Sequence, residues 1–198
     1  PYVSLLNVSI PTPLPALAVR LPNHLGDVCM CVPALDALAP HFALTLVGKP
    51  WAPSLFAAYD WPVVPLAGSW REQRAALRRE CKGALGLLFT HSFGTALQFR
   101  LAGLRPRGYA TEARGLLLNR ALTVPARWVG DMHTVEYYLE LAARAFDLPP
   151  VEPPAALRLR VSEAAQHHAY TLVHSSRNGR VPYVVLCPLA VGLHQGKV

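Results

Sequence analysis

Lysine is nearly missing from this chain: 16 of its 19 basic residues are arginine, and they face only 12 acidic ones, for a net charge of +7. Arginine offers a fixed fork of donors suited to phosphate or carboxylate. The classes to weigh are therefore a phosphorylated sugar, an anionic bilayer surface or a nucleic acid. An arginine-rich, lysine-poor composition is also what a GC-rich genome produces, so composition alone assigns no single arginine. The aromatic-basic interleaving of RNA platforms and the spacing of zinc fingers are both absent, and no nucleic-acid partner is expected. No apolar run approaches the ~20 residues of a membrane span. The N-terminus has no basic segment leading into an apolar core, so the expected address is the cytosol. Cysteine is limited to Cys29, Cys31, Cys81 and Cys187. That spacing matches no zinc site, and a chain of 198 residues needs no disulfide staples. All four are expected to be reduced thiols in or near a core. A G-x-G-x-x-G, a Walker loop and a nucleophile elbow are all missing, which removes the usual signatures of dinucleotide, P-loop and α/β-hydrolase chemistry. His167, His168 and His174 have no nearby carboxylate except Glu163, so no metal site is expected.

What is abundant is apolar: 52% of residues are hydrophobic and 16% charged, enough for a full core. Residues 1–15, with Pro11, Pro13 and Pro15, read as an irregular leader. From Ala16 short apolar runs alternate with helical stretches. The runs Ala16–Arg20, Ala43–Val47, Val63–Pro65, Ala84–Thr90 and Arg107–Ala110 predict strands, as does Tyr183–Cys187. Several are apolar almost throughout, as parallel strands covered on both faces should be. Helices are predicted over Asp27–Leu38, Trp70–Lys82, Ser92–Leu101, Met132–Phe146 and Ser162–Ser175. The first buries Val28, Cys31, Leu35 and Leu38, with Pro33 either kinking it or marking its first turn. Gly103 is placed to stop the third. Asp131 is placed to cap the fourth, whose Val135, Tyr138, Leu139, Ala142, Ala145 and Phe146 share one stripe. This alternation predicts an α/β fold with a doubly wound parallel sheet.

The stretch Arg20-Leu21-Pro22-Asn23-His24-Leu25-Gly26-Asp27 carries the most information. It sets a lone carboxylate beside a glycine hinge where the first strand turns into the first helix. Open α/β proteins place their chemistry at that edge, beside the positive end of a helix. Asp27 is expected in any active site here. A helix cap worth ~1 kcal/mol is the competing reading of the same residue.

Arg20 through Pro33-Ala34-Leu35 resembles the opening motif of the lipopolysaccharide heptosyltransferases, glycosyltransferases of GT-B architecture. Further segments resemble that family in order. Thr90-His91-Ser92-Phe93, then Ala96-Leu97, is similar to its Ser-Phe-x-Ser-Ala; Ala102 to Tyr109 is similar to its Ala-Gly-x-x-x-Arg-x-Gly-Tyr; His133, Glu136 and Tyr138-Leu139 match its His-x-x-Glu-x-Tyr-Leu helix. Val184 to Ala190, with Gly192 and Lys197, resembles the strand and loop that open the second domain, although Leu189 stands where the pattern has glycine.

The resemblance implies the Rossmann-like, acceptor-side N-terminal domain of a GT-B enzyme over residues 16–178, with the nucleotide-sugar domain beginning at 179–198. The start at Pro1 and the end at Val198 then suggest part of an enzyme about twice as long, inactive as an isolated piece. The implied reaction moves heptose from ADP-heptose to the inner core of lipopolysaccharide with inversion, at the cytoplasmic face of the inner membrane, with no metal or cofactor. Asp27 would be the general base. Lys197 and Gly192 would hold the donor diphosphate. Asn23, His24, Ser92, Arg105 and Arg107 would contact the acceptor, with Arg114 extending the same anionic pocket. His133 reads as a structural hydrogen bond. The arginines of Trp70–Lys82 form either a solvated face or a peripheral dock on an anionic bilayer. Two other readings stay open: another α/β enzyme acting on a nucleotide or phosphosugar, and a non-catalytic module binding an anionic ligand.

Overall fold

The structure, a computed structural model, describes residues 13–128 and 130–174. One compact unit runs to Arg160 and a second begins at Val161. The expected boundary at 178–179 and the strand Tyr183–Cys187 lie outside the described residues.

The first unit is built on six strands: β1 (Ala16–Arg20), β2 (Ala43–Gly48), β3 (Val63–Pro65), β4 (Leu85–Leu88), β5 (Arg105–Tyr109) and β6 (Arg120–Leu122). They pair in the order β3-β2-β1-β4-β5-β6, every pair parallel. The helices are α1 (Leu25–Leu38), α2 (Ala52–Leu55), α3 (Trp70–Glu80), α4 (Phe93–Leu101) and α5 (Thr134–Phe146). The second unit contributes α6 (Glu163–His174), where the Ala165 N–H donates to the Ser162 hydroxyl at 3.2 Å. Ser162 thus caps that helix as its sequence predicts.

β1 is apolar at every position because it is covered twice. Leu17 and Val19 enter one core with α1 and α5, and Ala18, between them, enters the other with α3 and α4. This two-residue alternation divides the sheet into its two faces. On α1 the expected residues Val28, Cys31, Leu35 and Leu38 are all fully buried. Pro33 sits inside that helix, where it cannot donate to the Cys29 carbonyl. α5 buries Val135, Tyr138, Leu139, Ala142 and Ala145 as expected, and Tyr137 and Leu141 besides. Each large apolar side chain among them contributes about 1.5–3 kcal/mol.

Several boundaries differ from expectation. β4 pairs only from Leu85 to Leu88, leaving Phe89 and Thr90 past the ladder. β5 begins at Arg105, before Pro106; proline lacks a donor but is tolerated near a strand's start. His133, not Asp131, caps α5: its Nδ1 accepts from the Val135 N–H at 3.2 Å. Cys31 and Cys81 are buried free thiols, and burial pushes the Cys81 thiol up to about 11. Cys187 lies outside the described residues.

Candidate functional site

From β1 the sheet grows one way through β2 and β3, and from its other neighbour, β4, it grows the opposite way through β5 and β6. Their carboxyl ends therefore flank the topological switch point, where open α/β sheets leave a crevice for ligands. β1 leads into α1, and β4 into α4, so the N-termini of both helices border that crevice.

Asp27 occupies the third position of α1 and is partly exposed. It does not cap the helix; His24 is the N-cap residue, and its side chain makes no capping bond. The capping reading of Asp27 therefore falls. Among the described residues no cation pairs with the Asp27 carboxylate, and no side-chain hydrogen bond engages it. Its charge is felt by Tyr138 on α5, whose phenol is held protonated mainly by burial, with Cys31 and Asp27 adding to the effect. Gly26 is not the hinge expected of it. It lies within the first helical turn at ordinary φ, and an added Cβ would meet no atom within 4 Å. The space over this turn is open.

Across the crevice, the chain leaving β4 presents Thr90, His91 and Ser92. Ser92 caps α4, accepting from the Thr95 N–H at 3.4 Å, and it remains exposed. His91, which no sequence argument singled out, sits at the centre of a polar network. The Tyr137 hydroxyl lies 3.0 Å from its Nε2, and Thr111 donates to the His91 carbonyl at 3.2 Å. Trp128 also packs on Tyr137, with ring centroids 4.0 Å apart. The signal that could have found His91 is its place immediately after the predicted strand Ala84–Thr90, beside Ser92.

Burial, then the charge of Arg114, holds the His91 imidazole below its usual 6.5, with Glu112 opposing. The unfolded chain therefore takes up the proton first as pH falls. The stability tied to neutral His91 is present above about pH 6.5 and is lost progressively below it. Urea midpoints between about pH 8 and 5 should fall more steeply for the wild type than for His91→Gln. Parallel curves for the two proteins would contradict this.

The arginines divide differently from expectation. Arg105 opens β5 at the amino edge of the sheet, and Arg107 lies two residues further on. The Arg107 guanidinium donates to the Ala145 carbonyl at 2.6 Å and covers the Phe146 ring at 4.8 Å, near the C-terminus of α5. Because α5 starts beside His91 and ends beside Arg107, both arginines lie away from the Asp27 edge. Arg114 is fully buried: its Nε donates to the Tyr109 carbonyl at 2.7 Å and its Nη1 to that of Thr90. It ties β4 to β5 and lines no anionic pocket. Asn23 and His24 are exposed in the loop before α1, and the Asn23 Oδ1 accepts from Arg20 at 2.9 Å. Lys197 and Gly192 lie outside the described residues. Asp27, Asn23, His24 and Ser92 are thus gathered at one edge.

A groove of about 680 Å³ runs along the outer face of α5, lined by Arg127, Glu136, Glu140, Arg144 and Asp147 among others. It does not include Asp27. Its charges largely satisfy one another, with Arg144 on Glu140 at 2.8 Å and Arg127 between Glu136 and Glu140. The crevice at the switch point is the better candidate because it holds an unpaired carboxylate. Among the described residues no three His, Cys, Asp or Glu side chains converge as metal ligands, and no helix is long and apolar enough to cross a membrane.

No family model and no curated protein sequence matches the chain. Solved structures do. The ADP-heptose lipopolysaccharide heptosyltransferase II of E. coli is 25% identical, with a TM-score of 0.61 over 82% of this chain and 51% of that one. A family 9 glycosyltransferase from Veillonella parvula is 14% identical, with a TM-score of 0.66 over 85% and 52%. E. coli heptosyltransferase WaaC, solved with ADP-2-deoxy-2-fluoro heptose, is 20% identical, with a TM-score of 0.59 over 72% and 51%. The chain matches about half the length of each. The expected α/β, doubly wound parallel architecture is the one found, and it is the fold of about half of a heptosyltransferase or family 9 glycosyltransferase chain.

Proposed function

We propose that this chain is the acceptor-side half of a glycosyltransferase that moves heptose from ADP-heptose to the inner core of lipopolysaccharide with inversion. The observation that carries the reading is Asp27: an unpaired, partly exposed carboxylate in the first turn of α1, at the switch point of a sheet that matches heptosyltransferases. Inverting transfer needs one carboxylate on the acceptor side to take the hydroxyl proton as the sugar–phosphate bond breaks. A carboxylate is a weak base towards an alcohol, so proton transfer to it comes late, after the leaving group has largely separated. His24 and Ser92, exposed on either side of it, are the groups offered to acceptor hydroxyls. Lys197, with backbone N–H groups near Gly192, would neutralise the departing diphosphate. Among the described residues no group plays that part, and the isolated chain should turn over little. Donor titration by calorimetry on the full-length protein tests the substrate: ADP-heptose should bind, and preference for another nucleotide sugar would overturn the choice.

The same reading places the enzyme against an anionic bilayer through α3. That helix exposes Arg71, Arg78 and Arg79, holds Arg74 over Trp70 at 5.5 Å, and spends Glu72 on a capping box with Ser69. Trp70 is itself 41% exposed, as an interfacial anchor would be. Each basic side chain near such a surface contributes about 1 kcal/mol. Sedimentation with phosphatidylglycerol vesicles should show binding at low salt. Replacing Arg71, Arg74 and Arg78 together by Gln should weaken it roughly a hundredfold. Unchanged binding would remove α3 from the contact.

A further inference from the structure

We infer that Arg20 is a positioning residue for Asp27, acting through Asn23. The inference rests on the proposed role of Asp27, and it reassigns Asn23 from acceptor contact to structural latch. Only four residues, Leu21 to His24, separate the last residue of β1 from the first of α1. The first half of this loop is fixed by the core: the Leu21 N–H donates to the Val47 carbonyl at 2.8 Å, the Leu21 side chain is fully buried, and Pro22 is buried beside it. The second half has no such support. Asn23 and His24 are exposed, and His24 gives α1 no side-chain cap. Among the described residues, the one side-chain tie on that half comes from Arg20. Its guanidinium folds forward over the loop, with Nη1 donating to the Leu21 carbonyl and Nη2 to Asn23 Oδ1 at 2.9 Å. Two residues further on α1 begins, and Asp27 lies in its first turn.

Arg20 is poorly explained as a stabiliser. It is only 7% exposed, no carboxylate pairs with it among the described residues, and its Nε is buried without a partner. Burial lowers its guanidinium to about 10, which still leaves a cation at neutral pH. A buried, unpaired charge costs the fold, so its retention calls for a different benefit. Its nitrogens are engaged or enclosed: Nη1 by the Leu21 carbonyl, Nη2 by Asn23, and Nε within the protein. Holding a short loop so that a carboxylate meets an incoming hydroxyl at the right angle is such a benefit, since small misplacements cost large factors in rate.

The test uses the full-length protein with Arg20→Met, Asn23→Ala, Asn23→Asp and the Arg20→Met/Asn23→Ala pair. Arg20→Met and Asn23→Ala should each lower kcat by about tenfold to a hundredfold with the acceptor KM little changed. The pair should be no slower than the worse single change, because both remove one interaction. Asn23→Asp keeps an oxygen for Arg20 and should turn over faster than Asn23→Ala. Amide hydrogen exchange over residues 23–27 should quicken in both single variants, while the midpoint of thermal unfolding holds or rises for Arg20→Met. If Asn23→Ala raises the acceptor KM at unchanged kcat and unchanged exchange, Asn23 is a substrate contact and the latch is refuted. If Arg20→Met unfolds the protein, Arg20 is a stabiliser and the inference is likewise overturned. If exchange responds as expected in a protein that does not use ADP-heptose, the latch stands and the heptose reading falls.

Discussion

Asp27→Ala is expected to lower turnover by the full-length enzyme about a thousandfold or more while leaving the fold intact. A positioned base contributes between about a hundred- and ten-thousandfold, and Asp27 is a partly exposed carboxylate in the first turn of α1 at the switch point. The fold should survive because the side chain is not holding anything. It does not cap α1, no cation pairs with it among the described residues, and its attraction to the helix N-terminus is worth about 0.3–1 kcal/mol. Asp27→Asn is the sharper probe, since the amide keeps shape and polarity but cannot accept the proton. Rates of transfer from ADP-heptose to a core acceptor, alongside circular dichroism, decide the matter. An alanine variant that turns over at near wild-type speed would end the claim that Asp27 is the base.

Arg114→Ala carries the largest expected effect on stability, a loss of about 3–5 kcal/mol. Arg114 is wholly buried, and its guanidinium supplies the carbonyls of Tyr109, the last residue of β5, and Thr90, two residues past the end of β4. Truncation leaves both acceptors dry and opens a cavity the size of the lost side chain. Burial lowers the Arg114 guanidinium to about 10, so charging it opposes folding. That relief is why Arg114→Met, which fills the space, should cost less than half as much as alanine. The packing around Gly108 fits this account: a Cβ there would stand 3.3 Å from Arg114 Nη2 and 3.4 Å from the Leu88 carbonyl. Urea unfolding of the two variants separates the contributions. Equal losses for methionine and alanine would show that the carbonyls, not the volume, dominate; no loss for alanine would remove Arg114 from the framework.

The architecture was legible where apolar pattern and burial coincide. β1 and β3 were read to the residue, and the buried stripes of α1 and α5 follow from helical spacing. β6 was not legible. Arg120–Leu122 is three residues with one apolar side chain turned inward, and its place is fixed from outside by the Ala110 N–H donating to the Leu122 carbonyl at 2.7 Å. At the site, Asp27 stood out because strand, glycine and helix signals converge on it. Arg105, Arg107 and Arg114 were grouped as one anionic pocket by their closeness to one another in sequence, which says nothing about which end of a strand a residue occupies. A two-residue period would have helped: Arg107 shares a face with Tyr109, which is buried against Tyr137. His91 escaped notice because its role depends on a partner distant in sequence, Tyr137, and Arg114 was assigned to an anionic pocket because its partner, the Thr90 carbonyl, is distant too.

The position of β1 between β2 and β4 has a consequence for how the protein is made. A ribosome releases β1 before the other strands of this sheet, but its second neighbour begins at Leu85, and α5, which covers α1, begins at Thr134. Until those segments emerge the nascent polypeptide carries an open backbone edge on β1 and a bare apolar stripe on α1. Such surfaces invite wrong pairings, and folding of this unit must wait until α5 has cleared the exit tunnel.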